Sequence, residues 1–459
     1  MSFFEYVSIK HLTKYQPFND SWFKTLMFFS QTVPSVRNAA IALALLHRNY
    51  VDGNSNSSNR VREDQPQTSE DWRLLDKEAP LFHYTMAIQH LLKQDFIGHD
   101  SAERTAIALL VCYLFTCFDH LAGNDVQAMK HLRGGVELSR NLPKAILNNN
   151  DDRGDDANSS EVRNLICQVT SQIRRLDMQA AVFLLDWTPV DTQGTIMYQL
   201  QPSDSAFHSL GQAAEYIQMF VARLMSLRNT EQQMCLTGEI PPPPSPSSPK
   251  DILLRQLETW SGLFENMLLL QQGSTSSHEI DSESNTLITM LRLQRTIAWI
   301  LLSSYGPGRE MEYDTFLPQF QQCMALARDV AAAHERYSGS LKPTFTPEIG
   351  ILPVLYIIGA KCRHALVRRE VLNILRRQSI REAVWTSICT AEILERVIEI
   401  EEGGSEEGVM PHSMGQIAVW QRIEALSWIH VASGHSAPRL DMMYTFCTRE
   451  GIHTESLII

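Results

Sequence analysis

The strongest constraint on this chain is the spacing of its apolar residues, which repeats with the period of an α-helix along most of its length. In "FHYTMAIQHLLKQDF", Tyr84, Ile88, Leu91 and Leu92 stand at i, i+4, i+7 and i+8 and predict one stripe of a helix. "NAAIALALLHRNY" is rich in Ala and Leu and suits a buried helix. "AEYIQMFVARLMSL", "LLRQLETWSGLFENMLLL", "TLITMLRLQRTIAWILLSSY" and "FLPQFQQCMALARDVAAAHERY" carry the same pattern. Alternating β-branched runs bounded by hairpin turns are scarce. The expectation is an all-α fold, a large helical array or bundle with long polar loops.

Four polar stretches punctuate the helices. They are "DGNSNSSNRVREDQPQTSEDW" near 52–72, "NNNDDRGDDANSS" at 148–160, "IPPPPSPSSPK" at 240–250 and "QQGSTSSHEIDSESN" at 271–285. The acidic second stretch predicts disorder, and the proline-rich third a stiff connector. Helices on either side look alike, and no fixed-period repeat is present. Residues 1–459 are therefore read as a single all-α domain, one continuous helical array with flexible loops at those four places.

With 44% hydrophobic residues the chain can build a sizeable core. Its net charge of −12 argues against wholesale nucleic-acid binding. One segment runs the other way. "YIIGAKCRHALVRREVLNILRRQSIREAVW", from Tyr356 to Trp385, holds seven Lys and Arg residues and few acids. With Val367, Val371, Ile374 and Leu375 on one helix face, Arg368, Arg369 and Arg376 fall to the side or opposite, which predicts an amphipathic helix with a basic outer face. Arg363 falls on the apolar side and needs a carboxylate or carbonyl, because an unpaired buried charge is costly. The stretch "AEILERVIEIEEGGSEE" at 391–407 carries seven acids and one Arg. An antiparallel pairing of a basic with an acidic helix explains the arginines without DNA, and an acidic neighbour would repel phosphate. Internal pairing is the preferred reading.

Catalytic signatures are missing: there is no HExxH, no GxSxG and no Walker loop. "SYGPGREM" lacks the GxGxxG pattern and reads as a turn. His120 in "CFDHLAGN" and His334 in "HERY" are the tempting histidines, since a His beside an acid can act as a general base. The simpler reading of His120 is a helix end, where an imidazolium suits the dipole and Gly123 supplies the stop. The eight cysteines, Cys112, Cys117, Cys167, Cys235, Cys323, Cys362, Cys389 and Cys447, show no CxxC spacing. They predict neither a disulfide framework nor a structural zinc site. No catalytic, cofactor-binding or metal residue is nominated, and no enzyme is expected. The N-terminus is a poor signal peptide, and the longest apolar run, Ala106 to Phe115, is about half of a membrane span. The expectation is a soluble intracellular protein.

Several blocks in their order resemble the fungal-specific transcription factor family, in the regulatory region that follows a zinc binuclear cluster. "FFEYVSIKHLTKYQPFNDSWFKTLMFFSQTVPSVRNAAIALALLH" is similar to that family's aromatic start, and "FHYTMAIQHL" and "ALLVCYLFTCFDHLAGNDVQAMKHLRGGVEL" to its next block. "GILPVLYIIGAKCRHALVRREVLNILRRQSIREAVW" resembles its late block, with Cys362, Arg363, Arg368, Arg369 and Glu370 in the expected arrangement. The likeness runs roughly from residue 3 to residue 430. It implies transcriptional control, location in the nucleus, and contacts with other transcription regulators or coregulator proteins, with a small-molecule effector as a further partner. The six-cysteine cluster that reads DNA in this family has no counterpart in this sequence. Sequence-specific DNA binding by these residues alone is therefore not expected, and neither is a membrane partner. Three explanations of the missing cluster compete: a lost upstream exon, a regulator that works without it, or a helical domain recruited elsewhere. The alternatives to a transcription regulator are a non-DNA-binding scaffold or corepressor and, behind it, an all-α enzyme.

Overall fold

Helices dominate the fold, as the apolar periodicity predicts. The computed structural model describes residues 1–17, 19–57, 70–93, 101–142, 157–184, 187–189, 204–237, 248–274, 282–304, 309–338, 341–403, 413–431 and 439–458. A π-helical turn, Phe4–Ser8, runs into α1 (Ile9–Leu12). There follow α2 (Asp20–Thr32), α3 (Pro34–Ser57), α4 (Glu70–Lys93), α5 (Ser101–Ala122), α6 (Asp125–Arg140) and α7 (Ala157–Ala180). The second half has α8 (Leu210–Thr237), α9 (Pro249–Ser274), α10 (Ser282–Ser303), α11 (Arg309–Glu312) and α12 (Leu317–Ser338). Strand β1 (Thr344–Thr346) leads to α13 (Ile351–Lys361) and α14 (Ala365–Arg377). Strands β2 (Ile380–Glu382) and β3 (Trp385–Thr386) precede α15 (Ser387–Glu402). The described chain ends in β4 (Ile423–Val431), β5 (Arg439–Phe446) and β6 (His453–Ile458).

Two hydrophobic cores divide this order. The first gathers the segments from Phe4 to α7 around α5. Apolar on every side, α5 must be covered on every side, and α3, α6 and α7 pack on it. The run Ala106–Phe115 extends into a helix of 22 residues, long and apolar enough to cross a membrane, with 78% of its most apolar window buried inside the protein. The second core gathers α8 to α14, where Trp260 stacks on Phe264 at 4.7 Å and α10 packs against α8, α12 and α13. The halves exchange side chains. Tyr15 from the N-terminal segment sits in the second core, and Phe345 of β1 sits in the first.

Small sheets complete the structure. β1 pairs in parallel with β2, which pairs antiparallel with β3. β4, β5 and β6 form an antiparallel meander. Leu440, Met442, Tyr444 and Phe446 alternate inward along β5 and bury Ile393 and Val397 of α15. The meander rests on Leu, Met and aromatic residues more than on β-branched ones, which hides its strand character in the sequence.

The stripe proposed for α4 needs one correction: Leu92 is 73% exposed, and Ala87 takes its place beside Tyr84, Ile88 and Leu91. The four polar stretches are also shorter as loops than expected, because helix runs into them. α3 extends to Ser57, α4 starts at Glu70, α7 at Ala157, α9 at Pro249, and α9 ends at Ser274 before α10 opens at Ser282. Proline at a first helical position needs no hydrogen-bond partner, and Ser248 Oγ caps α9 by accepting from Asp251 N at 3.2 Å. The middle of each stretch, and Tyr305 to Gly308 of "SYGPGREM", lie outside the described residues.

Candidate functional site

The arginine-rich segment is where the sequence poses its sharpest functional question, and its charges are matched within the chain. α14 and α15 run antiparallel, so Arg369 meets Glu402 while Arg376, two turns on, meets Glu395. The Arg369 guanidinium donates to both Glu402 oxygens, at 2.8 and 2.6 Å. Arg377 reaches Glu335 at 2.8 Å, and Lys361 donates to Glu310 at 2.6 Å. The expected basic–acidic helix pair is present. Val367, Val371 and Leu375 form its buried face, with Ile374 packed at the margin. Glu406 and Glu407 lie outside the described residues.

Arg368 does not lie on a basic outer face. It is fully buried, donating to Glu401, to Glu402 Oε1 at 3.3 Å and to the Gly359 carbonyl at 3.2 Å. α14 packs against both α13 and α15, so the interior arc of the helix is wider than a single stripe and takes in the flank. Arg363 meets its expectation of a buried partner, but from the turn between α13 and α14 rather than from a helix face. Its guanidinium donates to Glu401 Oε1 at 2.9 Å and lies 2.8 Å from Glu310 Oε2. Glu401 also accepts from Ile423 N at 2.8 Å, tying the knot to the start of β4. Burial works against this carboxylate, but Arg363 and Arg368 outweigh it and hold its pKa at about 2. Nearby, buried Arg422 spans Asp314 (2.7 and 2.9 Å) and the carbonyls of Ile417, Met414 and Glu310.

Arg381, the last cation of the segment, resolves the His120 question. Its Nε donates to the His120 carbonyl at 2.6 Å, so a cation does sit at the C-terminal end of α5, where the dipole favours it. It is Arg381, however, and not an imidazolium. Burial lowers the pKa of His120, with Asp125 pulling the other way, so the ring stays neutral. Gly123, at φ +82°, supplies the stop as expected.

His334 belongs to a second buried knot. The Tyr15 hydroxyl donates to Glu382 Oε1 at 2.5 Å and takes a bond from His334 Nε2 at 2.7 Å; Lys14 meets Nδ1 of the same ring. Glu382 also accepts from the N–H groups of Gly350, Ile351 and Leu352, at 2.9, 3.0 and 2.9 Å, at the start of α13. Helix N-termini favour a carboxylate in this place. A side chain is excluded at residue 350: a Cβ would sit 2.1 Å from the Tyr15 ring. Burial keeps His334 and His11 well below the usual histidine range and His47 at about 4. Lys14, Tyr15, His334 and Glu382 bond one another and hold the N-terminal segment to the second half. Their chemistry is that of a joint, and no sequence motif announced it.

An apolar pocket of about 660 Å³, its open mouth included, lies between α7, α8, α10 and α13. Val221 and Met225 of α8, Ala298 and Leu301 of α10, and Val354 and Ile357 of α13 supply its walls. Three amides, Gln179, Gln218 and Gln294, break the apolar lining. Gln179 accepts from Ile349 N at 2.9 Å. With its oxygen facing Arg175, Gln218 accepts from that guanidinium at 2.7 Å. Gln294 has no hydrogen-bond partner among the described residues. Apolar pockets with a few polar groups are the usual places for small ligands. Among the described residues no group of three or more His, Cys, Asp or Glu side chains could hold a metal ion.

Comparison with known proteins gives one direction. No protein-family profile matches the chain, and no solved structure does. The chain is 21% identical over 434 residues to the aspercryptin biosynthesis cluster-specific transcription regulator of Emericella nidulans, an alignment that takes in 77% of this chain and 65% of that protein. It thus spans less than two thirds of the relative's length. The chain is a distant relative of a cluster-specific transcription regulator.

Proposed function

We propose that this chain is the regulatory region of a fungal-type transcription regulator, acting in the nucleus through contacts with other regulators or coregulators on a biosynthetic or metabolic gene set. The observation that carries the mode of action is the arginine segment. Each of its seven cations bonds or faces an acid or carbonyl of the same chain. A DNA-reading helix needs free cations for phosphates and base edges, and this segment has spent its own on α15 and its neighbours. The regulator role itself is supported by likeness to the Emericella protein. In this reading the chain performs no catalysis and binds no specific DNA sequence by itself.

Two measurements test the proposal. Purified chain mixed with a pool of double-stranded DNA should give no sequence-specific shift; a discrete shift at nanomolar protein contradicts the protein-contact mode. Tethered to a promoter through an unrelated DNA-binding domain in a filamentous fungus, the chain should raise or lower a reporter several-fold. An unchanged reporter from a stably expressed fusion removes the regulatory role.

A further inference from the structure

The apolar pocket does not stop at Ile357. A second pocket, of about 780 Å³ with its mouth, shares Met225, Leu301 and Ile357 with the first and continues along the same three helices. From Gln218 to Arg228 on α8 the combined trough runs about 15 Å at the rise of an α-helix. Its two ends differ in chemistry. The first is apolar and relieved only by amides; the second gathers Arg228, Arg309 and Lys361 against one lining acid, Glu424.

The cations at this end are incompletely matched. Arg228 bonds only neutral oxygens, the Leu301 carbonyl at 3.0 Å and the Tyr313 hydroxyl at 3.4 Å, and has no carboxylate partner among the described residues. Arg309 lies 3.6 Å from Glu424, and its buried Nε donates to no group of the described residues. Lys361 is the one with a close acid, Glu310, which it shares with Arg363. The surplus is felt by Tyr313. Burial should raise the pKa of its hydroxyl, yet Arg228 and Lys361 outweigh burial and bring it below the usual phenol value.

We propose that this trough binds an amphiphilic carboxylate, its apolar body lying among Val221, Ala298 and Ile357 and its carboxylate on Arg228 and Arg309. Charge complementarity selects the anion, since a guanidinium fork matches a carboxylate with two parallel bonds. The apolar slot selects a hydrocarbon or aromatic body over a small polar acid. The trough touches α7, α8, α10, α13 and β4, elements of both halves of the chain, so occupancy is placed to influence how those halves hold together. Binding itself is independent of the regulatory reading proposed above.

The test is direct binding to the purified full chain, by calorimetry and thermal shift, with octanoate, decanoate and dodecanoate as probes and with decanol, decylamine and acetate as comparators. Decanoate should bind at least tenfold more tightly than decanol, and decylamine and acetate should not bind. Arg228→Gln should cut the preference for decanoate over decanol to about threefold or less while leaving decanol affinity unchanged. Met225→Trp, at the junction, should weaken decanoate and decanol alike. Equal binding of decanoate, decanol and decylamine overturns the proposal, as does saturation by none of the chain lengths. A preference for decanoate that survives Arg228→Gln undiminished places the anion elsewhere and also overturns it. The comparison of decanoate with decanol on the unmodified chain decides the matter even if a variant fails to fold. Loss of this binding with an active promoter-tethered chain would sink the trough and spare the regulator.

Discussion

The knot around Glu401 and the cationic end of the trough use the same residue types, meet at Glu310, and are built to opposite ends. In the knot, Arg363 and Arg368 are sealed from water and share Glu401, with Glu310 and Glu402 beside it. At the trough, Arg228 is half-buried and faces only neutral oxygens. Charge that is buried and balanced fixes the packing of α13, α14, α15 and β4. Charge that is half-buried and left in excess attracts something from outside. Counting arginines does not distinguish the two cases, and the carboxylates around them do.

The largest expected effect falls on the balanced side. Glu401→Gln removes the carboxylate that two buried guanidiniums share, leaving Arg363 to Glu310 and Arg368 to Glu402, and should cost about 3–5 kcal/mol of stability, read by urea unfolding; Arg228→Gln should cost less than about 1 kcal/mol. Similar losses for both would erase the contrast. Acid offers a second, graded probe. His11, His47 and His334 have folded pKa values below that of the unfolded chain, so the unfolded state takes up protons first. Their contribution to stability is full above about pH 6.5 and falls as pH drops, for His47 down to about 4. From this ring alone the loss is on the order of 3 kcal/mol. The Glu401 knot survives this window, because its carboxylate, at about 2, protonates only in stronger acid. Unfolding curves at pH 7 and pH 5 should therefore show the joint around Tyr15 weakening first, with protection from hydrogen exchange lost at α1 before α15. The smallest effect belongs to Arg376→Glu. Its partners Glu395 and Glu392 are about as exposed as it is, at 40% and 41%. Reversal there should shift stability by at most about 1 kcal/mol, and less in high salt. A larger loss would show that the surface pairs hold α14 to α15 as firmly as the buried ones do.

Much of this was readable from residue order. The stripe Val367, Val371, Leu375 predicted the buried face of α14, and the acidic run after it predicted the partner. Arg363 is legible as a buried cation in want of an acid because it stands one turn before Val367, on the apolar side. Arg368 escaped that logic. Helical periodicity marks one contact face, and a helix wedged between two others has a wider interior arc than one stripe describes. The C-terminal meander escaped because "RLDMMYTF" alternates Leu, Met, Tyr and Phe, residues that helices also accept. The knot of Tyr15, His334 and Glu382 joins positions more than three hundred residues apart, a distance that local pattern cannot bridge.

By itself the sequence determined that the chain is helical, where several of its helices fall, and that a basic helix is followed by an acidic one. These follow from local periodicity and from charges close together along the chain. Only the tertiary structure decided which cations are neutralised and which are left over, because that depends on which carboxylates are carried within a few ångströms by distant segments. Arg228 and Arg368 look alike in sequence. Glu401 lies beside one of them and no described carboxylate beside the other, and only the packing of α8, α14 and α15 arranges that.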